Sequence, residues 1–241
     1  MTCQTDHPML HRFKEYEDFP SDPATLFWSC ELGLPRPLPG TTKLYNMINA
    51  KDIADMQLRW TADWHEVDKD PEGLDPLQSH IHGNHRRNFN LWHEEDCARR
   101  DDMGFEYVYR AKRAIDAYNQ QRNDFIERID QWLFETLKPD IEGAPINSET
   151  PGMIIDRLSI MALKLFHMIE QTEREDVDEA HLEKCHQKVE VLRQQRTDLT
   201  QILDQFLSEI REGKRAFKVY FQFKMYNDPS LNPQLYRKGE S

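Results

Sequence analysis

The sequence predicts an all-α fold: a bundle of about five helices, two of them long, with a proline-rich N-terminal arm and an aromatic C-terminal tail. Three observations carry this. Apolar residues recur at alternating steps of three and four in two extended stretches, the pattern of helices packed side by side. No alternation of strands with helices marks a βαβ unit. No Gly-rich phosphate loop or low-complexity tract appears.

Residues 1–42 form the arm. Pro8, Pro20, Pro23, Pro35, Pro37 and Pro39 block helix interiors there. The interspersed Phe13, Tyr16, Phe19, Leu26, Phe27 and Trp28 indicate an arm packed on a domain rather than a disordered one. The helical domain then occupies 43–241. A first helix is expected from about Thr42 to Val67, followed by a linker from Asp68 to Gly83 containing Pro71, Gly73 and Pro76. A second helix is placed at about Asn84–Arg100. Gly104 precedes a long third helix ending near Leu137, about 50 Å at 1.5 Å per residue. The loop 139–149 breaks it. Thr150-Pro151-Gly152 reads as an N-cap with proline at the first helical position, opening a helix to about Arg174. The last long helix runs from about Val177 to Arg211. The tail begins near residue 212, and its segment 217–223 (FKVYFQF) alternates like a strand that has no partner.

Composition limits the function. A chain of 241 residues allows one domain, or one with a small appendage. No run reaches the roughly 18 apolar residues of a membrane span. The first residues lack a basic region followed by an apolar stretch, and Cys3, Cys30, Cys97 and Cys185 have no CxxC spacing, so a cytoplasmic location is expected. A net charge of −12 argues against a nucleic-acid partner.

Two arginines stand out. Leu182, Cys185, Val189, Leu192, Arg196, Leu199, Leu203, Phe206 and Ile210 form one seam; Ile115, Tyr118, Arg122, Phe125, Ile129 and Trp132 form another. Each has arginine at a core position. Gln120-Gln121-Arg122 also matches Gln194-Gln195-Arg196 in spacing, which leaves duplication of a helical hairpin and chance both open. A buried guanidinium must be paired or solvated. Either each pairs with a carboxylate of a neighbouring helix, or both line a cavity and clamp an anion, for which their fork geometry is suited.

Residues 88–100 have apolar side chains on opposite sides of a helix, which draws some of His93, Glu94 and Asp96 inward. After Pro151, Asp156, His167, Glu170 and Arg174 gather opposite a broad apolar face, either as a solvated salt-bridged stripe or as part of a site. Glu183-x-x-His186 has the spacing of di-iron bundles, but those require two such pairs and further glutamates. Glu94, Asp96, Glu127 and Asp156, with His167, are the candidates for a single Mg²⁺ or Mn²⁺. His80, His82 and His85 offer ligands for zinc but lack cysteine partners, so a solvated loop is the favoured reading there. Nothing has the spacing of a nucleophile elbow.

The stretches LWHEEDCARR (91–100), KRAIDAYNQQRNDFIERID (112–130), TPGMIIDRLSIMALKLFHM (150–168) and FKMYNDPSLNP (223–233) resemble an uncharacterised bacterial domain-of-unknown-function family, from about residue 45 to the end. The resemblance implies a bacterial protein in the setting of envelope-polysaccharide metabolism and assigns no reaction. Its motif positions add Trp92, Arg113, Asn119, Asn123 and Arg157 as ligand-binding candidates beside Arg122 and Arg196. The expected function is a buried polar pocket that binds or processes a small anionic ligand, such as a sugar phosphate or nucleotide sugar, with His93, Glu94 and Asp96 as acid–base candidates. The alternative is a non-enzymatic scaffold that assembles, with itself or a partner, through its long helices and aromatic tail.

Overall fold

Asn49 begins the first helix by accepting the backbone N–H groups of Lys51 (2.8 Å) and Asp52 through its side chain. The computed structural model describes residues 49–223, 225 and 228–236, so the proline-rich arm lies outside the described residues. Among the described residues there are five helices of more than four residues: α1 (Ala50–Glu66), α2 (Pro76–Cys97), α3 (Phe105–Leu137), α4 (Pro151–Thr172) and α5 (Glu179–Arg211). A short 3₁₀ turn (Asp101–Met103) and a four-residue α6 (Pro233–Tyr236) complete the set, and no strand is present. The fold is an all-α bundle, as the spacing predicts.

Helix α2 starts about eight residues earlier than expected. Asp75 and Gln78 form a reciprocal capping box, with Pro76 in the first turn. Gly83 is therefore a helix-interior residue and not a linker breaker. A Cβ there would sit 2.2 Å from the Phe125 ring, so its glycine lets α2 and α3 approach closely. The segment 80–85 is correspondingly helical, and His85 is fully buried.

The seam of α5 is buried at Cys185, Val189, Leu199, Leu203, Phe206 and Ile210, as its spacing requires. In α3 the core face is rotated from the expected one: Ile115, Ile126, Ile129 and Leu133 are buried, while Phe125 and Trp132 are only half-buried. Helix α4 is the centre of the bundle and packs on α1, α2, α3 and α5. Its predicted face (Ile154, Ile155, Leu158, Met161, Ala162, Leu165, Ile169) is buried, but so are Asp156, Ser159, Leu163 and Phe166. With neighbours on all sides, the expected solvated stripe is not formed at Asp156.

After α5 the chain makes one parallel bridge, Ile146 with Ala216, and Phe217 enters the core between Phe134 and Phe206. Phe217 is thus a core residue, while Tyr220, Phe221 and Phe223 of the tail are exposed. Among the described residues no helix is long and apolar enough to cross a membrane.

Candidate metal centre and adjoining cavity

Helices α1, α2, α3 and α4 meet around a chain of buried polar groups. Arg122 on α3 donates Nε to Asp156 Oδ1 and an Nη to Oδ2, both at 2.9 Å. The amides of Asn84 and Asn88 on α2 donate to the same Oδ1, also at 2.9 Å. Asn88 further donates to Ser159 Oγ, which lies 2.7 Å from His85 Nδ1. The Thr61 hydroxyl donates to the Gln57 carbonyl, so the 3.0 Å contact between His85 Nε2 and Thr61 Oγ1 makes Nε2–H the donor and Nδ1 the acceptor from Ser159. Burial pushes the His85 imidazole down to about 3, so it is neutral. Gln57 closes the chain by donating to the Ile155 carbonyl at 3.1 Å.

Arg196 takes a separate partner, Asp55 on α1, at 2.9 Å. Burial pushes the Asp55 carboxyl up, but hydrogen bonds from Lys51 and Arg196 outweigh this and hold it below its ordinary range. The clamp pictured from the sequence, two guanidinium groups closing on one anion, is not the arrangement found. Each arginine meets a carboxylate of a neighbouring helix, because an aspartate is in reach of each. The two QQR segments do share one local detail: Gln120 bonds Asp124 at 2.8 Å, and Gln194 bonds Asp198 at 2.7 Å.

A cavity of about 1020 Å³ opens between α2, α4 and α5, and neither arginine lines it. Trp92, His93 and Asp96 come from α2, and Lys164, His167 and Glu170 from α4. Lys184, Lys188, Val191 and Leu192 come from α5. Lys164, Lys184 and Lys188 are exposed at its edge and form no ion pair among the described residues. Burial raises the pKa of Asp96, with His167 and Arg99 pulling the other way. It also raises that of Glu94, which does not line the cavity.

Beside this cavity three histidines from three helices converge: His65 of α1, His93 of α2 and His167 of α4. Each offers a ligand atom, and the three atoms lie within 4.8 Å of one another. Ring centroids are 5.2 Å apart for His65–His93, 5.0 Å for His65–His167 and 5.7 Å for His93–His167. Stacking fixes two of the rings. His167 lies flat on Trp92, at 4.7 Å and 8°, and His65 lies on Phe166, at 4.3 Å and 17°. His65 Nδ1 is 2.7 Å from the Thr61 carbonyl and His167 Nδ1 is 2.6 Å from Glu170 Oε2. Both partners are acceptors, so each Nδ1 carries a proton.

The other sequence-predicted residues are dispersed. Arg113 pairs with Asp116, and Arg157 with Glu149, both near the surface. Asn119 lies at the limit of hydrogen bonding to Arg122, 3.5 Å away, and Asn123 is half-buried outside the cavity. The carboxylates named for Mg²⁺ or Mn²⁺ do not converge. Asp156 is saturated by Arg122 and two asparagines, and Glu127 accepts the Gln222 N–H at 2.7 Å. Glu183 and His186 are exposed, so the di-iron spacing comes to nothing. Sequence reasoning named Trp92, His93, Asp96 and His167 but missed His65 and the three lysines. His65 had no motif around it, and the lysines lie on helix faces that look like ordinary surface.

Fold and site together define a helical-bundle protein with a histidine cluster beside a cavity edged by lysines. The family model described as "Protein of unknown function (DUF4254)" matches residues 78–219, and the chain belongs to that family. The matched stretch runs from α2 through the bridge at Ala216 and so contains His93, His167 and every cavity residue. No curated protein and no solved structure matches the chain significantly.

Proposed function

We propose that the cavity between α2, α4 and α5 binds a small anionic ligand, of the sugar phosphate or nucleotide sugar class, in the envelope-polysaccharide setting that the family resemblance suggests. The observation that carries this is the placing of Lys164, Lys184 and Lys188 around one cavity without carboxylate partners, in a chain whose net charge is −12. Unpaired ammonium groups at the mouth of a concave site attract phosphate as point charges. Asp96 of α2 and Glu170 of α4 supply acceptors for hydroxyl groups, and Trp92, Val191 and Leu192 supply apolar surface. The anion-binding role expected of Arg122 and Arg196 passes to these lysines. His93 and Asp96 are the acid–base candidates that remain at the cavity.

Calorimetric titration of the full chain with UDP-glucose and with inorganic phosphate tests this. Binding of UDP-glucose that weakens at least about tenfold in Lys184→Gln/Lys188→Gln, the loss of one to two charge-assisted contacts, supports it. Absence of binding, or equal binding by the variant, removes it. A second reading, assembly through the tail, is favoured by the exposure of Phe221 and Phe223. Its test is the mass in solution of a chain ending after Val219, since truncation before Phe217 would open the core.

A further inference from the structure

We propose that His65, His93 and His167 bind a divalent transition-metal ion of the zinc type. This goes beyond the anion-binding proposal and does not depend on it.

The donor set is the first argument. Three neutral imidazoles suit zinc and its neighbours, whereas Mg²⁺ and Mn²⁺ prefer carboxylate and water oxygens. Three histidines plus one exchangeable position is a known arrangement for reactive zinc. In tetrahedral zinc sites, Zn–N bonds of about 2.0–2.1 Å place ligand nitrogens about 3.3 Å apart. The ligand atoms here lie within 4.8 Å of one another, about 1.5 Å beyond that spacing at most.

Outer contacts are the second argument. Histidines that ligate metals hand their other N–H to a carboxylate or a backbone carbonyl, which sets the tautomer and aims the lone pair. His167 does this through Glu170 at 2.6 Å, and His65 through the Thr61 carbonyl at 2.7 Å. The two rings are further held by Trp92 and Phe166. With Nδ1 engaged in both contacts, Nε2 is the ring nitrogen left to ligate a metal.

A third, independent observation concerns His167 alone. Its Nε2 is buried and has no hydrogen-bond partner among the described residues. A buried polar atom left in that state is unfavourable, and a metal ion would remove the penalty. His93 and His167 also line the cavity, so the ion would be accessible from it.

The test uses the full chain, stripped with EDTA and titrated with ZnSO₄ in a calorimeter. Tight saturable binding is expected, together with the visible bands of tetrahedral Co²⁺ when CoCl₂ replaces zinc. His65→Ala and His167→Ala should each weaken zinc binding by more than tenfold. Glu170→Gln, which keeps all three imidazoles, should weaken it by roughly 10- to 100-fold. Affinity should fall on acidification, because the imidazoles ligate only when deprotonated. Lys184→Gln/Lys188→Gln should leave zinc binding unchanged, so failure of the anion proposal and of this one are told apart. Zinc binding that is absent, or that persists undiminished in His65→Ala and His167→Ala, overturns the proposal. If circular dichroism shows those variants unfolded, the Co²⁺ spectra of the wild type and Glu170→Gln decide. A wild-type spectrum that is octahedral, or a Co²⁺ affinity undiminished in Glu170→Gln, overturns it.

Discussion

Arg122 and Asp156 face each other across α3 and α4 through two parallel hydrogen bonds of 2.9 Å, the fork geometry in which a guanidinium and a carboxylate fit best. Asp156 is almost fully buried, and the two asparagine amides on α2 occupy the rest of its Oδ1 acceptor capacity. Three helices are thereby held in one register by a single carboxylate. Replacing Arg122 by Met leaves that carboxylate with its amide donors but no counter-charge. A loss of about 3 kcal/mol is expected, at the low end for breaking a buried pair because Arg122 itself is partly exposed. Urea unfolding measures this. UDP-glucose affinity should not change, since Arg122 does not line the cavity; lost affinity with unchanged stability would restore the clamp and refute the structural role.

His85 carries a pH dependence of definite sign. Its imidazole is pushed down to about 3 by burial, from an ordinary value near 6.5. Between those values the unfolded chain binds a proton that the folded chain does not. Stability therefore rises with pH over this window and is lost on acidification. The single-site limit is about 5 kcal/mol across the window, from 1.36 kcal/mol per pH unit. His85→Gln lowers stability at pH 7 by removing bonds to Thr61 and Ser159. Its further loss between pH 7 and pH 4 should nevertheless be smaller than that of the wild type. Unfolding curves of both proteins at the two pH values check this, and a parallel loss would count against a neutral His85.

The helical seam of α5 was legible because one helix face meets one neighbouring surface, and the resulting 3-4 spacing survives in the sequence. Helix α4 was half legible: Ile154, Leu158 and Leu165 announce a core face, but Asp156 and Ser159 look like surface until four helices are found around them. Gly83 misled, since a glycine chosen for the close approach of Phe125 reads like a helix breaker. Each seam arginine meets an aspartate of a neighbouring helix, and spacing alone does not say whether a carboxylate or a ligand supplies the charge. The cluster of His65, His93 and His167 left no sequence signal as a unit. Its members come from three helices, and convergence depends on how those helices cross.

Asp130 on α3 gives the opposite pH dependence. Its carboxylate accepts the Thr150 hydroxyl at 2.5 Å and the Gly152 N–H at 2.7 Å, joining α3 to the first turn of α4. A Cβ on Gly152 would sit 2.8 Å from the Ile126 carbonyl, so the glycine is what lets α4 start this close. Burial pushes the Asp130 carboxyl up to about 7, although both donors favour its charged form. The positive end of α4 favours that form as well. Between about 4 and 7 the folded chain holds a proton that the unfolded chain has lost. Stability from this group is full below about 4 and declines as pH rises toward 7, by at most about 4 kcal/mol. Asp130→Asn cannot ionise and keeps an acceptor for one of the two donors. Relative to the wild type it should be weaker at pH 4 and should recover ground steadily up to pH 7. Denaturant unfolding of the pair at half-unit steps measures the difference, and a pH-independent gap between them would mean that Asp130 stays charged throughout.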